Sequence, residues 1–368
     1  MRFLPGALAF VGLFLAGLPG MAGEPAAVPP IDHSQLLQFT TPDGGVQTVR
    51  TAEEWAIRRQ QILKGMELAM GELPDRSKLP PLDVKMTETV DGEGLTRLTI
   101  SYQTDETTRV PAHLYLPKGL SAGQRVPAIL ALHQTAAHGK KDVSGEAGTP
   151  PNRGYAKELA QRGYVVLAPD YPSFGDYPCD FKNGKFASGT MLGIFNHMRG
   201  IDLLQARDEV DPDRIGVVGH SLGGHNAMFL GVFDLRPKVI VSSSGWTPFH
   251  DYYGGKLDGW TQDRYMPRIR DVYGKDPNRM PFDFYEVVAA LAPRAFFSNS
   301  PIGDGNFDVR GVRKAEAEAR KVFALLNADE RLQVRYSSGG HDFSEEARRE
   351  AYAFVDQVLQ HAPLRSIP

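Results

Sequence analysis

The sequence has little cysteine and little net charge. Cys179 is the one cysteine, so no disulfide can form within these 368 residues, whatever the compartment. The 41 Lys and Arg residues nearly balance the 44 Asp and Glu residues, and no long basic run is present. This balance gives no basis for a nucleic-acid partner. Internal repeats are also lacking, which argues against a solenoid architecture.

Long apolar runs are scarce, and the most prominent one lies at the N-terminus. Arg2 precedes an apolar stretch from Phe3 to Leu18, and small residues follow as far as Gly23. The stretch is shorter than the roughly 20 apolar residues of a membrane span. We therefore predict a secretory signal peptide at 1–23, a secreted or periplasmic location, and no stable membrane anchor.

A leader and one helix at 24–81 precede the main domain. Apolar residues recur at near-helical spacing in TAEEWAIRRQQILKGMELAM, which begins at Thr51. Thr51 and Glu54 have the spacing of a capping box, and Pro74 marks the end of the helical pattern. We expect this helix to pack on the main domain.

The main domain, at 82–368, has the pattern of an α/β fold. Alternating residues from Leu82 to Leu116 predict antiparallel strands. From Val126 onward, short apolar runs alternate with amphipathic stretches, which predicts a mostly parallel sheet with helices on both faces. The runs are PAILALH, YVVLAPD, RIGVVGH, KVIVSSS, RAFFSNS and RLQVRYSS. An aromatic-rich insertion at about 246–290 interrupts the alternation.

A serine lies among glycines at 219–223, where the chain reads GHSLG. A buried strand run precedes this segment and the helical pattern GGHNAMFLGVF follows it, which is the strand-turn-helix context of a nucleophile elbow. Glycines permit the close approach of strand and helix that such a strained turn needs. We predict that Ser221 is a nucleophile.

A serine nucleophile needs a general base and an acid that orients it, and these follow the serine in the order acid, histidine. His341 comes after the last strand run, behind two glycines, and is the predicted base. Asp304 and Asp308 both follow the preceding strand run. Asp308 directly precedes a helical stretch and reads as its N-cap, so we predict Asp304 as the acid and keep Asp308 as the alternative.

An oxyanion hole needs main-chain N–H donors from the residue after the nucleophile and from the loop after an earlier strand. The first donor is predicted to be Leu222. Gln134 and Thr135, in the loop after PAILALH, are both candidates for the second. His133 in the same loop is interpreted first as a brace for that loop.

The histidines and the aromatic insertion supply candidate substrate contacts. The predicted contacts are His133, His220, Trp246, Tyr252, Tyr253 and Trp260. The pairs His133/His138 and His220/His225 lack the i, i+4 spacing of helical metal ligands, and no carboxylate cluster accompanies them. We therefore predict neither a metal nor another cofactor.

The motifs GHSLGGH, SPIGDGNFDVRGV and GGHDF resemble the nucleophile elbow, acid loop and histidine loop of the α/β-hydrolase superfamily. Within it they resemble the secreted bacterial dienelactone-hydrolase-like and acetyl-xylan-esterase-like branches, over roughly residues 82–361. The resemblance implies hydrolysis of a carboxylic ester through an acyl-enzyme on Ser221, without a metal. Dienelactone hydrolases proper have cysteine as nucleophile, so serine here points away from a lactone substrate.

The predicted substrate is a small-molecule or polysaccharide-linked ester, such as an acetyl or uronoyl ester. Two alternatives stay open from the sequence: a serine peptidase of the same fold, and a binding protein that keeps the fold without the chemistry. The sequence gives no indication of oligomeric state.

Overall fold

The computed structural model describes residues 32–146 and 148–364. The predicted signal peptide at 1–23 lies outside the described residues, as does the first part of the leader. Within the part of the chain that the structure describes, no helix combines the length and the apolarity needed to cross a bilayer.

The strands of the described residues form a large sheet and a small one. In chain order they are β1 (Gln38–Thr40), β2 (Val46–Thr48), β3 (Lys85–Gly92), β4 (Leu95–Gln103), β5 (Arg109–Pro117), β6 (Val126–Leu132), β7 (Val165–Pro169), β8 (Val210–His220), β9 (Val239–Ser243), β10 (Ala295–Asn299) and β11 (Leu332–Arg335). The large sheet has the order β11-β10-β9-β8-β6-β7-β5-β4-β3, and β1 pairs with β2.

The large sheet is parallel from β6 to β11 and antiparallel from β3 to β5. Every residue of β6, β7, β9 and β10 is buried, as expected for strands covered on both faces. The predicted α/β fold, with a mostly parallel sheet entered through an antiparallel edge, is confirmed.

Helices cover both faces of the large sheet. They are α1 (Ala52–Met70), α2 (Tyr155–Gln161), α3 (Gly189–Gln205), α4 (Leu222–Phe233), α5 (Arg268–Asp271), α6 (Phe284–Ala290), α7 (Val309–Leu325) and α8 (Glu345–Val358). Apolar residues of α1, α3, α4, α6 and α7 share one core with the sheet. Residues of α2 and α8 form the core on the opposite face.

Helix α1 has the capping box that the sequence predicts. The N–H of Glu54 donates to Thr51 Oγ1 at 3.2 Å, and the N–H of Thr51 donates to Glu54 Oε2 at 3.1 Å. The helix ends at Met70, four residues before Pro74. Arg58 on its buried face forms an ion pair with Glu286 of α6, so α1 is held against the main domain.

The aromatic-rich insertion lies between β9 and β10 and contains α5 and α6. Two short 3₁₀ turns, Leu257–Trp260 and Pro277–Arg279, form the rest of its regular structure. The rings of Phe249, Phe282 and Phe284 are fully buried and pack against one another. Much of the insertion is therefore core, and only part of it is available to line a site.

Candidate active site

Ser221 occupies a strained turn between β8 and α4. Its φ of 55° and ψ of −118° lie outside the regions that residues with a side chain prefer. A Cβ on Gly219 would lie 2.1 Å from the carbonyl oxygen of Gly223, and a Cβ on Gly223 would lie 1.9 Å from that of Leu132. These contacts explain the two glycines of the GHSLG segment, because the start of α4 passes directly over β6 and β8.

Ser221, His341 and Asp304 form a chain of hydrogen-bonding contacts. His341 Nε2 is 2.9 Å from Ser221 Oγ, and His341 Nδ1 is 3.1 and 3.0 Å from the two carboxylate oxygens of Asp304. These contacts are satisfied when Ser221 donates its hydroxyl hydrogen to Nε2 and the Nδ1–H donates to Asp304. The three side chains come from loops after β8, β10 and β11, which end at the same edge of the parallel sheet.

The surroundings of Asp304 keep its carboxylate charged. Burial by itself would raise its pKa, but hydrogen bonds to the carboxylate have the larger combined effect and the pKa lies below its ordinary value. The donors are the His341 ring and the N–H groups of Asn306 and Phe307, the last two at 2.8 and 3.2 Å from Oδ1. A charged carboxylate here orients the histidine and stabilises its protonated form.

Asp308, the alternative acid, is engaged elsewhere. Its side chain accepts from the N–H of Arg310 at 2.8 Å as the N-cap of α7. It also forms an ion pair with the Arg310 guanidinium at 2.5 Å. The structure thus brings Asp304, and not Asp308, to the histidine ring.

The predicted oxyanion donors lie around Ser221. Leu222 is the first residue of α4, where main-chain N–H groups have no partner within the helix. Gln134 and Thr135 line the same cleft as Ser221, and Thr135 Oγ1 is 3.0 Å from the hydroxyl of Tyr265. The choice between Gln134 and Thr135 as second donor stays a prediction.

Ser221 opens into a cleft of about 340 Å³, here called the serine cleft. Its lining is rich in histidine and aromatic residues and, among the described residues, contains no Asp or Glu. The lining residues are Gln134, Thr135, Arg153, His220, Ser221, Leu222, His225, Tyr252, Gly259, Trp260, Tyr265, Asn306, Phe307 and His341. Tyr252, Trp260, Tyr265 and Phe307 give it an aromatic wall. Such a wall suits stacking against a sugar ring or another flat apolar face.

Three of the six predicted substrate contacts line the serine cleft, namely His220, Tyr252 and Trp260. His133 is buried behind it, where its Nδ1 donates to the Gln134 carbonyl at 2.6 Å and its Nε2 accepts from the Tyr171 N–H at 2.9 Å. With both ring nitrogens bound by main chain, His133 braces the loop and is not a substrate contact.

Trp246 and Tyr253 also need correction as substrate contacts. Trp246 is buried in the core, and its indole N–H donates to Ser298 Oγ at 2.9 Å. Tyr253 is 51% exposed, donates its hydroxyl to Asn306 and is not among the lining residues of the serine cleft. The sequence pattern marks an aromatic segment but does not say which rings face inward.

His225 lines the serine cleft, although sequence reasoning considered it only as a metal ligand. Its Nδ1 is 3.2 Å from the carbonyl oxygen of Gly245, to which it donates. Burial lowers the pKa of His225 to about 3, so the ring is neutral and its Nε2 is an acceptor. The sequence spacing could have predicted this position, because His225 is four residues after Ser221 and therefore lies one helical turn along α4 on the same face.

Arg153, Tyr265, Asn306 and Phe307 also line the cleft. Tyr265 belongs to the aromatic insertion, and Asn306 and Phe307 belong to the acid loop, whereas no motif marks Arg153. His220 Nδ1 is 3.1 Å from Ser243 Oγ, and its ring centroid lies 5.0 Å from that of His341. Burial holds the pKa of His220 well below its ordinary value, so this ring is a neutral neighbour of His341.

Within the described residues, no group of three or more His, Cys, Asp or Glu side chains is arranged to hold a metal ion. Cys179 is half-buried, and burial raises the pKa of its thiol. The expected absence of a metal and of other cofactors stays a prediction.

The family model described as "Alpha/beta hydrolase family" matches residues 145–364, which is more than half of the chain. This chain belongs to the α/β-hydrolase family. The match includes the elbow, the acid loop and the histidine loop, so the resemblance inferred from the motifs is confirmed at the level of the superfamily.

Relatives of this α/β hydrolase include bacterial and fungal proteins. "Putative hydrolase YtaP" of Bacillus subtilis is 27% identical over 315 residues, which are 83% of this chain and 99% of YtaP. 4-O-methyl-glucuronoyl methylesterase 1 of Wolfiporia cocos is 22% identical over 319 residues, covering 78% of this chain and 74% of that protein.

Solved structures resemble this hydrolase over most of its length. A glucuronoyl esterase from Solibacter usitatus has a TM-score of 0.69 at 20% identity, and the match covers 90% of this chain and 99% of that one. At this identity the likeness shows the fold, which agrees with the observed sheet order and helix layers.

Proposed function

We propose that this α/β hydrolase cleaves a carboxylic ester through an acyl-enzyme on Ser221. One observation carries the proposal: His341 Nε2 is 2.9 Å from Ser221 Oγ while its Nδ1 faces the Asp304 carboxylate. A serine hydroxyl becomes an effective nucleophile when a positioned base takes its proton, and this arrangement supplies that base.

The groups around Ser221 supply the steps of an acyl transfer to serine and then to water. Ser221 Oγ attacks the ester carbonyl as His341 takes the hydroxyl proton, and the carbonyl oxygen becomes an oxyanion held by the Leu222 N–H and by that of Gln134 or Thr135. His341 then gives its proton to the leaving alcohol, and the C–O bond of the ester breaks. His341 next takes a proton from a water molecule as that water attacks the acyl carbonyl. The bond between the acyl carbon and Ser221 Oγ then breaks, His341 returns the proton to Oγ, and the carboxylic acid leaves.

A carbohydrate-linked ester, such as an acetyl or uronoyl ester, is the substrate class that we favour. Several relatives are named as glucuronoyl esterases or carbohydrate esterases. The serine cleft has an aromatic wall for a sugar ring, and the acceptor Nε2 of His225 suits a sugar hydroxyl. A secreted or periplasmic location, proposed from residues 1–23, would place the enzyme where such polysaccharides occur.

A fluorophosphonate probe tests the nucleophile. The purified protein is labelled, and mass spectrometry locates the adduct, with Ser221→Ala as the control. We expect one adduct on Ser221 and none on the variant. An unlabelled Ser221 in folded protein would overturn the proposal.

A substrate panel then tests the ester class. Turnover of a methyl ester of a uronic acid, an acetylated xylo-oligosaccharide and an aryl acetate is compared with cleavage of a peptide. We expect the carbohydrate esters to have the higher kcat/KM. Peptide cleavage that outpaces all esters would favour the peptidase alternative.

A further inference from the structure

Arg153 reaches from the loop before α2 to the loop that carries His341. Its guanidinium donates to Asp342 Oδ1 at 2.5 Å and to the main-chain carbonyl of His341 at 3.3 Å. The Arg153 side chain is 12% exposed and that of Asp342 is 39% exposed, so the ion pair is shielded on the Arg153 side only. Arg153 therefore binds the main chain of His341 and the side chain of Asp342 at the same time.

Asp342 is held from other directions as well. Asn152 donates to its second carboxylate oxygen at 2.7 Å, and Asn299 of β10 donates to its main-chain carbonyl at 3.0 Å. Asn152 is itself bound by Arg348 of α8 at 3.0 Å. The carboxylate of Asp342 thus joins the histidine loop to the loop before α2.

The segment before His341 is held mainly by main-chain hydrogen bonds: the Gly303 N–H donates to the Gly339 carbonyl at 2.8 Å, and the Ile302 N–H donates to the Ser337 carbonyl at 2.9 Å. Gly339 has a φ of 96°, and a Cβ on it would meet nothing within 4 Å. The His341 side chain is 27% exposed. Gly339 and Gly340 have no side chains to pack, so the loop backbone depends on its hydrogen bonds, while Phe307 and Asp304 contact the His341 ring itself.

We propose that Arg153 and Asp342 are positioning residues that hold the His341 ring in line with Ser221. The inference rests on the proposed function, since it assigns a role to the support of the proposed base. Neither side chain is hydrogen-bonded to the Ser221 hydroxyl, and Arg153 binds the loop that carries His341. Because Arg153 also lines the serine cleft, the test must separate support of His341 from contact with the substrate. Small displacements of a catalytic group can cost about a hundredfold in rate, which sets the scale of the expected effect.

The test uses the rate constant for labelling of Ser221 by a fluorophosphonate, together with kcat and KM on an aryl acetate. The variants are Arg153→Gln, Arg153→Lys, Asp342→Asn and the double variant Arg153→Gln/Asp342→Asn. Arg335→Gln is the matched control, because Arg335 of β11 also forms ion pairs with acidic residues but contacts Glu346 and Glu350 of α8. Thermal unfolding is recorded for every variant.

We expect Arg153→Gln and Asp342→Asn each to lower the labelling rate and kcat about tenfold or more, with KM within about twofold of the wild type. Arg153→Lys should recover part of the loss, because its single nitrogen cannot take the positions of the two guanidinium nitrogens that bind Asp342 and the His341 carbonyl separately. The double variant should lose about as much as the worse single variant. The control should keep the wild-type rates.

Labelling of Arg153→Gln at the wild-type rate would overturn the inference. A raised KM with unchanged kcat would do the same, since it would make Arg153 a substrate contact. Fully additive losses in the double variant would contradict a shared role. If Arg153→Gln does not fold, the labelling rate constants and kcat values of Arg153→Lys and Asp342→Asn test the inference.

A wild-type protein that is not labelled at all would instead count against the proposed function.

Discussion

Asp304 and Asp308 lie four residues apart in one loop, and their surroundings differ at the level of single hydrogen bonds. Asp304 is buried and accepts hydrogen bonds from the His341 ring and from two main-chain N–H groups. Asp308 caps the N-terminus of α7 and forms an ion pair with Arg310. The same side-chain type therefore has a proposed catalytic role at one position and a capping role at the other.

Exchange of each aspartate tests this division. We expect Asp304→Asn to lower kcat on an aryl acetate by about a thousandfold, because an amide neither holds the histidine tautomer nor stabilises its charged form. Asp308→Asn should keep nearly the wild-type kcat, because asparagine is an equally good N-cap. Initial rates with matched protein concentrations measure both. Near-normal turnover in Asp304→Asn would identify another acid.

At the scale of elements, the proposed nucleophile depends on how closely α4 approaches β6 and β8. The approach is possible because Gly219 and Gly223 carry no side chain at the contact. Ser221 N–H also donates to the Ser243 carbonyl of β9 at 2.8 Å, which fixes the turn to the neighbouring strand. The elbow is therefore a property of three strands and a helix together.

Gly223→Ala is expected to disrupt this contact. Its Cβ would lie 1.9 Å from a main-chain oxygen that cannot rotate away, so we expect a loss of about 3 kcal/mol or more in unfolding free energy and slow labelling of Ser221. Gly305→Ala is the control in the acid loop, where a Cβ meets nothing within 4 Å. Urea unfolding of both variants gives the comparison. Equal unfolding free energies of the two variants would mean that the close contact between α4 and β6 does not require glycine at position 223.

For the molecule as a whole, a buried charge cluster ties the segment before β1 and helix α1 to α6. His33 Nε2 donates to the Met280 carbonyl at 2.9 Å, and its Nδ1 is 2.8 Å from Glu286, which also pairs with Arg58. Burial by itself would lower the pKa of His33, but Glu286 outweighs that effect and raises the pKa to about 9. Asp283 lies close by, and burial raises its pKa to about 7.

This cluster predicts a stability that depends on pH. The folded pKa of His33 lies above its unfolded value, so its contribution is fully present below about pH 6.5 and is lost as pH rises through about 9. We expect His33→Gln to lower the unfolding free energy by about 2 kcal/mol at pH 6, and by much less at pH 10. Because His33 and Asp283 also act on each other's pKa, the difference from wild type reports the charge of His33 together with its coupling to Asp283.

Denaturant unfolding between pH 6 and 10 measures this difference, and His138→Gln, at an exposed histidine, is the control. A difference between wild type and His33→Gln that stays constant across the range would contradict the proposed charge of His33.

The sequence by itself determined the fold and the order of the proposed reacting groups. Apolar runs of strand length, such as PAILALH and RIGVVGH, must be buried on both faces, and this requirement leaves few alternatives to a parallel sheet. Because parallel strands end at one edge, Ser221, Asp304 and His341 could be predicted as neighbours from strand order alone. The capping role of Asp308 could also be predicted from the neighbouring sequence, since an N-cap depends only on the helix that follows it.

Only the tertiary structure decided which side chains surround the reacting groups. His133 and Trp246 are turned into the core, and His225 and Arg153 into the serine cleft, by packing between segments far apart in the chain. Arg153 meets His341 across 188 positions of sequence, and no local pattern encodes such a contact. Periodicity records whether a position is buried, whereas the partner that buries it is fixed by the packing of the whole domain.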